Sequence, residues 1–306
     1  MSFQNRLSHI SPWAKIVLLL GLMASGTLAV LSILSTLNVL FFDFPLDVVK
    51  HLSPTSSLRS IQAAKIIQIT TQIGLFVLPT FAFAYLTSSK LSLGIGWEYH
   101  TKMTGFFVAI GATILAIPFI NILAEWNTAL HLPDFMEPLE RWMRQTQSSN
   151  DEMLKILAPM RNPYDIGINV LMMAILPAIG EELLFRGVLQ RQFQTIFRNP
   201  HVAILVTAII FSAIHLQFLG FFSRTLLGML FGYLFYFSKN IWLPIIAHFI
   251  NNFLALMLVL FYGVNSVETS MENWVTGPFI LFSITSFSAA VFIVYSYRNS
   301  FQSTKV

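Results

Sequence analysis

Apolar stretches of roughly bilayer-crossing length recur along the chain, at 14–42, 63–86, 103–123, 166–193, 202–222, 225–237, 241–262 and 275–297. They predict an all-α, polytopic transmembrane helical bundle of about eight spans, with the sixth the short one. The first run has a basic start but is too long for a signal peptide and lacks a small-residue cleavage site, so it counts as a helix. One long polar interval breaks the pattern. Residues 125–163 carry Pro133, Pro138, Trp142 and the tract Gln145-Thr146-Gln147-Ser148-Ser149-Asn150. This interval is expected to be a polar connector between spans three and four, with short interfacial helices. Its plain reading is a solvated link whose Trp126 and Trp142 anchor at the headgroups, and its sharper one a lid over a membrane cavity. No repeat period or long low-complexity tract appears, so 1–306 reads as a single transmembrane domain.

Composition strengthens this picture. Of 306 residues 55% are hydrophobic and 10% charged, with a mean hydropathy of +0.69, which leaves too little polar surface for a soluble globule. There is no Cys, which removes disulfides, thiolate metal ligands and a cysteine nucleophile. The net charge of +4 is scattered, without the Lys/Arg-rich run that nucleic-acid binding requires; membrane lipid explains the basic bias better.

The loops favour an integral multi-pass protein with both termini in the cytoplasm, in a bacterial inner membrane. Arg6, Lys15, Lys90, Lys102, Arg191, Arg198, Lys239, Arg298 and Lys305 would then lie inside. Lys50, Arg59, Lys65, Arg141, Arg144, Lys155, Arg161 and Arg224 would lie outside, four of them in the long connector, where the positive-inside rule is weaker. Nine against eight barely decides. The loop carboxylates are lopsided in the same sense, because only Glu98 would be inside.

Against this background the block Gly180-Glu181-Glu182-Leu183-Leu184-Phe185-Arg186-Gly187 stands out, because charge inside a membrane span is expensive and marks a functional candidate. Glu182 and Arg186 are four apart and share a helical face on which they can pair. Glu181 is rotated about 100° away and is aimed at a different partner. Two Glu beside one Arg leave a surplus carboxylate, although an ion pair that merely ties helices together is the bland alternative. Pro177 invites a kink or water nearby.

The fifth span adds His215, which alone is more often a satisfied hydrogen-bonding residue than a base. The seventh adds His248 and Asn252, four apart on one face, as a donor pair for an oxyanion or as interhelical polar glue. From the cytoplasmic ends of their helices, Glu181 lies roughly 18 Å deep, His215 roughly 22 Å, His248 roughly 12 Å and Asn252 roughly 18 Å. All four are expected to meet in a water-accessible cavity within the membrane. Glu181 would take a proton from water that His215 fixes, and His248 with Asn252 would stabilise the charge on an attacked carbonyl. Glu125 and Arg224 fall near predicted interfaces and call for no catalytic role.

The ordered set Glu181-Glu182-x-x-x-Arg186, Phe211-x-x-x-His215 and His248-x-x-x-Asn252 resembles the three motifs of the CAAX protease and bacteriocin-processing family, also called the Abi or CPBP family. The resemblance runs from Glu181 to Asn252, with 165–262 as the catalytic core. It implies an intramembrane endopeptidase similar to the Ras-converting CAAX endopeptidase. Glu181 and His215 would activate water, His248 and Asn252 would form the oxyanion hole, and Glu182 with Arg186 would support the site. The family has been described both as metal-dependent and as glutamate-dependent. There is no His-Glu-x-x-His pattern, but zinc held by Glu181, His215 and His248 is an open alternative to a metal-free site, and Asn252 favours the latter.

The implied partner is a membrane-associated peptide or protein, either a prenylated CAAX peptide or a leader-type sequence. No oligomeric state follows. The rival readings are a non-proteolytic scaffold or chaperone that retains the motifs, and a proton-coupled transporter, whose paired halves are not evident.

Overall fold

The structure, a computed structural model, describes residues 4–42, 47–263 and 277–305. Among these, seven helices are long and apolar enough to cross a membrane. They are α1 (Pro12–Leu37), α2 (Leu58–Thr87), α3 (Met103–Thr128), α5 (Pro163–Phe197), α7 (Phe221–Ser238), α8 (Trp242–Tyr262) and α9 (Gly277–Tyr297), with α4 (Glu137–Leu157) and α6 (Pro200–Ala213) between them. The protein is all-helical apart from a two-stranded antiparallel ribbon, β1 (Tyr99–Thr101) on β2 (Gln302–Lys305).

The short apolar helix is the fifth, not the sixth. α6 has 14 residues, because the chain leaves the helix at Ile214 and passes through a left-handed Leu216 (φ 54°) and a single turn at Phe218–Gly220. α7 then starts upstream of Arg224, which therefore lies in its first turn, partly buried.

Local sequence explains the starts and bends. Ser11 caps α1 by accepting from the Ala14 amide at 3.2 Å, and Asn199 caps α6 by accepting from the His201 amide at 2.9 Å; each is followed by a proline that needs no donor. Inside α2 and α5 a widened π turn, Ile73–Val77 and Leu171–Ile175, immediately precedes the Leu-Pro step at Pro79 and Pro177. The wider turn accommodates the proline ring and its missing N–H. A second π segment in α5, Leu183–Leu189, follows the two glutamates.

One face of the bundle gathers the chain ends. The Asn5 and Leu7 amides donate to the Tyr85 and Leu86 carbonyls, both at 2.9 Å; Arg191 pairs with Glu98 at 3.0 Å, and Asn240 donates to the Tyr99 carbonyl at 2.8 Å. The opposite face carries α4. That helix is tied to the preceding segment by Glu140, which accepts from the Leu132 amide at 2.8 Å and pairs with Arg144 at 2.8 Å. Its Trp142 packs on Phe218, and Trp126 of α3 packs on Phe222, so both rings clamp the link after α6.

The interior between α3, α7, α8 and α9 is built on Ala109, Ala112, Ala116, Ala247 and Ala290 around Phe231, Leu234 and Leu243. In lipid the apolar effect does not drive helices together, so small residues that let backbones approach do much of that work.

Candidate active site

α5 runs through the middle of the bundle and carries its charges there. Glu182 and Arg186 are both fully buried, and Arg186 Nη1 donates to Glu182 Oε1 at 2.6 Å, as the four-residue spacing predicts. Arg186 Nη2 donates to the Gly228 carbonyl at 3.0 Å, and the guanidinium lies between two rings, 4.8 Å from the centre of Phe211 and 5.7 Å from that of Phe231. Gly228 is needed for this: a Cβ there would stand 3.2 Å from Ala208 Cβ and 3.3 Å from Arg186 Nη2. One turn on, Gln190 donates to the Gly232 carbonyl at 3.1 Å, so two consecutive turns of α5 bond to the glycine face of α7.

His248 Nδ1 lies 2.8 Å from Glu182 Oε1, the same oxygen that Arg186 holds. Its ring stacks on Phe231 with 5.3 Å between centres and meets Phe211 edge-on at 6.0 Å. A carboxylate already bound to a guanidinium can only accept, so Nδ1 of His248 carries its proton and Nε2 presents a lone pair when the ring is neutral. His215 Nδ1 lies 2.7 Å from the Phe211 carbonyl, which also only accepts, so this ring has the same tautomer.

Both Nε2 atoms turn towards one oxygen. Glu181 Oε2 is 3.8 Å from His215 Nε2 and 3.9 Å from His248 Nε2. These separations are too long for direct hydrogen bonds and have the span of a water bridge. Glu182 Oε2 and Arg186 Nε, both shielded, have no partner among the described residues, the condition that a buried water relieves.

The structure thus brings Glu181, Glu182, Arg186, His215 and His248 into one cluster. Asn252 lies one turn beyond His248 on α8. Its Oδ1 accepts from Asn251 Nδ2 at 3.1 Å, which leaves its own amide N–H groups free of that bond. Among the described residues no group of three or more His, Cys, Asp or Glu side chains is disposed to hold a metal ion. The zinc alternative on Glu181, His215 and His248 therefore finds no fit, and no step below runs through a metal.

One charged residue outside the three motifs also acts on the site. Arg224, expected at an interface, interacts electrostatically with both Glu181 and His215. Its guanidinium donates to Gln217 Oε1 at 2.8 Å and to the Gln217 carbonyl at 3.2 Å, all neutral acceptors. Its charge acts on Glu181 more weakly than those of His248 and Arg186, and its bonds to Gln217 pin the link that follows His215. The available signal was an arginine within an apolar run, which the general cost of membrane charge already flags. Phe231, the ring beneath His248, carried no signal beyond being one of 29 Phe.

The family described as "Type II CAAX prenyl endopeptidase Rce1-like" matches residues 164–254, a stretch that holds all six site residues. Among curated proteins, YpbD of Bacillus subtilis (strain 168), described as an uncharacterized protein, is 31% identical over 86 residues. That alignment covers 27% of this chain and 41% of YpbD, so the chain spans about two fifths of the curated relative's length. No solved structure matches. Residues 164–254 are a domain of the Rce1-like CAAX endopeptidase (CPBP) family, in an integral multi-pass membrane protein.

Proposed function

We propose that the protein is an intramembrane endopeptidase that hydrolyses a peptide bond in a membrane-associated substrate, of prenylated CAAX or leader type. The observation that supports this reading best is the convergence of the His215 and His248 Nε2 atoms on the Glu181 carboxylate, each at water-bridging distance. A water held between Glu181 and His215 gives one proton to the Glu181 carboxylate and directs the other at His215 Nε2, leaving its oxygen to attack the carbonyl carbon. Glu181 then passes the proton to the departing amine.

His248 serves the oxyanion only as an imidazolium, because its Nδ1–H is committed to Glu182 and Nε2 must acquire a proton before it can donate. Glu182 neutralises that cation, and Arg186 orients Glu182 through its hydrogen bond. The Asn252 amide supplies the second donor. Arg224 adds a weaker favourable charge for Glu181.

We further propose that both termini are cytoplasmic and that α4 covers the site. The opposite face pairs off many of its cations, with Arg141 on Glu137, Arg144 on Glu140 and Lys65 on Asp165, whereas the terminal face holds one described acid, Glu98.

The test uses purified protein in nanodiscs with a peptide library that includes prenylated CAAX and leader-type sequences, read by mass spectrometry. Glu181→Gln is expected to lower cleavage by about 100-fold or more, and cleavage by the native chain is expected to survive a chelator. Undiminished cleavage by Glu181→Gln would remove the carboxylate from the mechanism. No cleavage by folded native protein across the library would favour a scaffold.

A further inference from the structure

A cavity of about 460 Å³ opens on the terminal face, around the C-terminal end of α5, with none of the six site residues in its lining. It lies among the ends of α1, α2, α5 and α7 and reaches inwards to Gly187, Phe83 and Phe235. The groups around it are polar: Lys15, Arg191, Gln192, Gln194, Thr195 and Lys239. Helix-ending residues mark its mouth, so it sits where the headgroups of the surrounding leaflet sit.

Its charge is unbalanced. Arg191 is satisfied by Glu98 at 3.0 Å and by the Leu93 carbonyl at 2.6 Å. Glu98 is thereby spent, and it is the one carboxylate of the described residues on this face. Lys15 and Lys239 are half-buried in the lining and enter no ion pair among the described residues; Lys239 rests its ammonium 5.1 Å from the Tyr236 ring centre. Gln194 Nε2 is shielded and has no hydrogen-bond partner among the described residues. Two cations and a spare amide donor thus surround a polar space at headgroup depth. A shielded donor left unbonded costs stability, which an acceptor in the cavity would restore.

We propose that this cavity binds a phosphate ester anion, with Lys15 and Lys239 as its counter-charges and Gln194 as a neutral donor. Basic pockets between transmembrane helices on the cytoplasmic side take anionic headgroups, and the orientation proposed above puts this face there. The site is separate from the Glu181 cluster, and its occupancy is read without any assay of cleavage.

The experiment is native mass spectrometry of the full chain released from nanodiscs of phosphatidylcholine containing a minor fraction of phosphatidylglycerol, with a parallel titration of inorganic phosphate. The native protein is expected to retain phosphatidylglycerol selectively, and each of Lys15→Gln and Lys239→Gln to lower that selectivity about fivefold. Lys102→Gln, on the same face but outside the cavity lining, should leave it unchanged. Displacement of retained lipid by millimolar phosphate, or phosphate binding without lipid selectivity, would assign the site to a free anion. Native selectivity in both cavity variants, or equal losses in Lys102→Gln, would overturn the proposal. If a glutamine variant does not fold, Lys15→Arg and Lys239→Arg serve in its place, and they are expected to retain the lipid.

Discussion

Helix α1 is the most apolar of the long helices, with a mean hydropathy of 2.4, and 6% of its most apolar window is buried in protein; α5, at 1.7, has 50% buried. Between these extremes burial broadly falls as hydropathy rises, the reverse of the trend in a water-soluble core. In lipid the apolar helix is already solvated, and polar groups are the ones that seek protein neighbours. α5 therefore lies central because it carries Glu181, Glu182 and Arg186 in mid-helix, and α1 lies peripheral because its one charge, Lys15, is in its first turn.

The sharpest way to break this contrast is to remove a charge from α5. Arg186→Leu leaves Glu182 and His248 in a buried cluster without their cation, and a loss of about 3–5 kcal/mol is expected in unfolding from mixed micelles. Leu28→Ala in α1, at a residue 66% exposed, should change stability by about 0.5 kcal/mol or less. Comparable losses from the two would refute the account of α5.

Glycines probe the same difference through packing. A Cβ on Gly232 would meet Ile204 Cγ2 at 2.8 Å and Gln190 Oε1 at 2.9 Å, so Gly232→Ala should cost about 1–3 kcal/mol. Nothing lies within 4 Å of a Cβ on Gly21 of α1, and Gly21→Ala should be neutral or stabilising by up to about 1 kcal/mol.

Arg224 separates function from packing. Because its bonds are to neutral acceptors while its charge acts on Glu181, Arg224→Gln should lower kcat/KM about tenfold, with a much smaller effect on unfolding. An unfolding loss as large as that of Arg186→Leu would make Arg224 purely structural.

The smallest effect is expected outside the membrane. Glu140 is held down to about 2, first by the Leu132 amide that donates to it and then by Arg144 and His131. Its folded pKa lies below the ordinary 4.5, so its contribution is complete above about pH 4.5 and is lost as pH falls towards 2. Hydrogen exchange at the Leu132 amide, corrected for the intrinsic rate, should quicken over that interval, and Glu140→Gln should abolish most of the change.

The sequence by itself determined what is local. Runs of apolar residues located most of the spans to within about five residues, although the fifth helix ends nine residues earlier than its run, and the four-residue spacing of Glu182 and Arg186 predicted their pairing. The order of three short motifs pointed to the family that 164–254 belongs to. These follow from helical periodicity and the bilayer's thickness, which neighbours along the chain express directly. Tertiary structure alone decided which groups from different helices share an atom. Glu182 accepts from both Arg186 and His248, two histidines direct lone pairs at Glu181, and Arg224 enters the site because the chain turns sharply after His215. Such contacts join residues 34–67 positions apart, and they depend on helix rotation and close approach at Gly228 and Gly232, which no periodicity along one helix records.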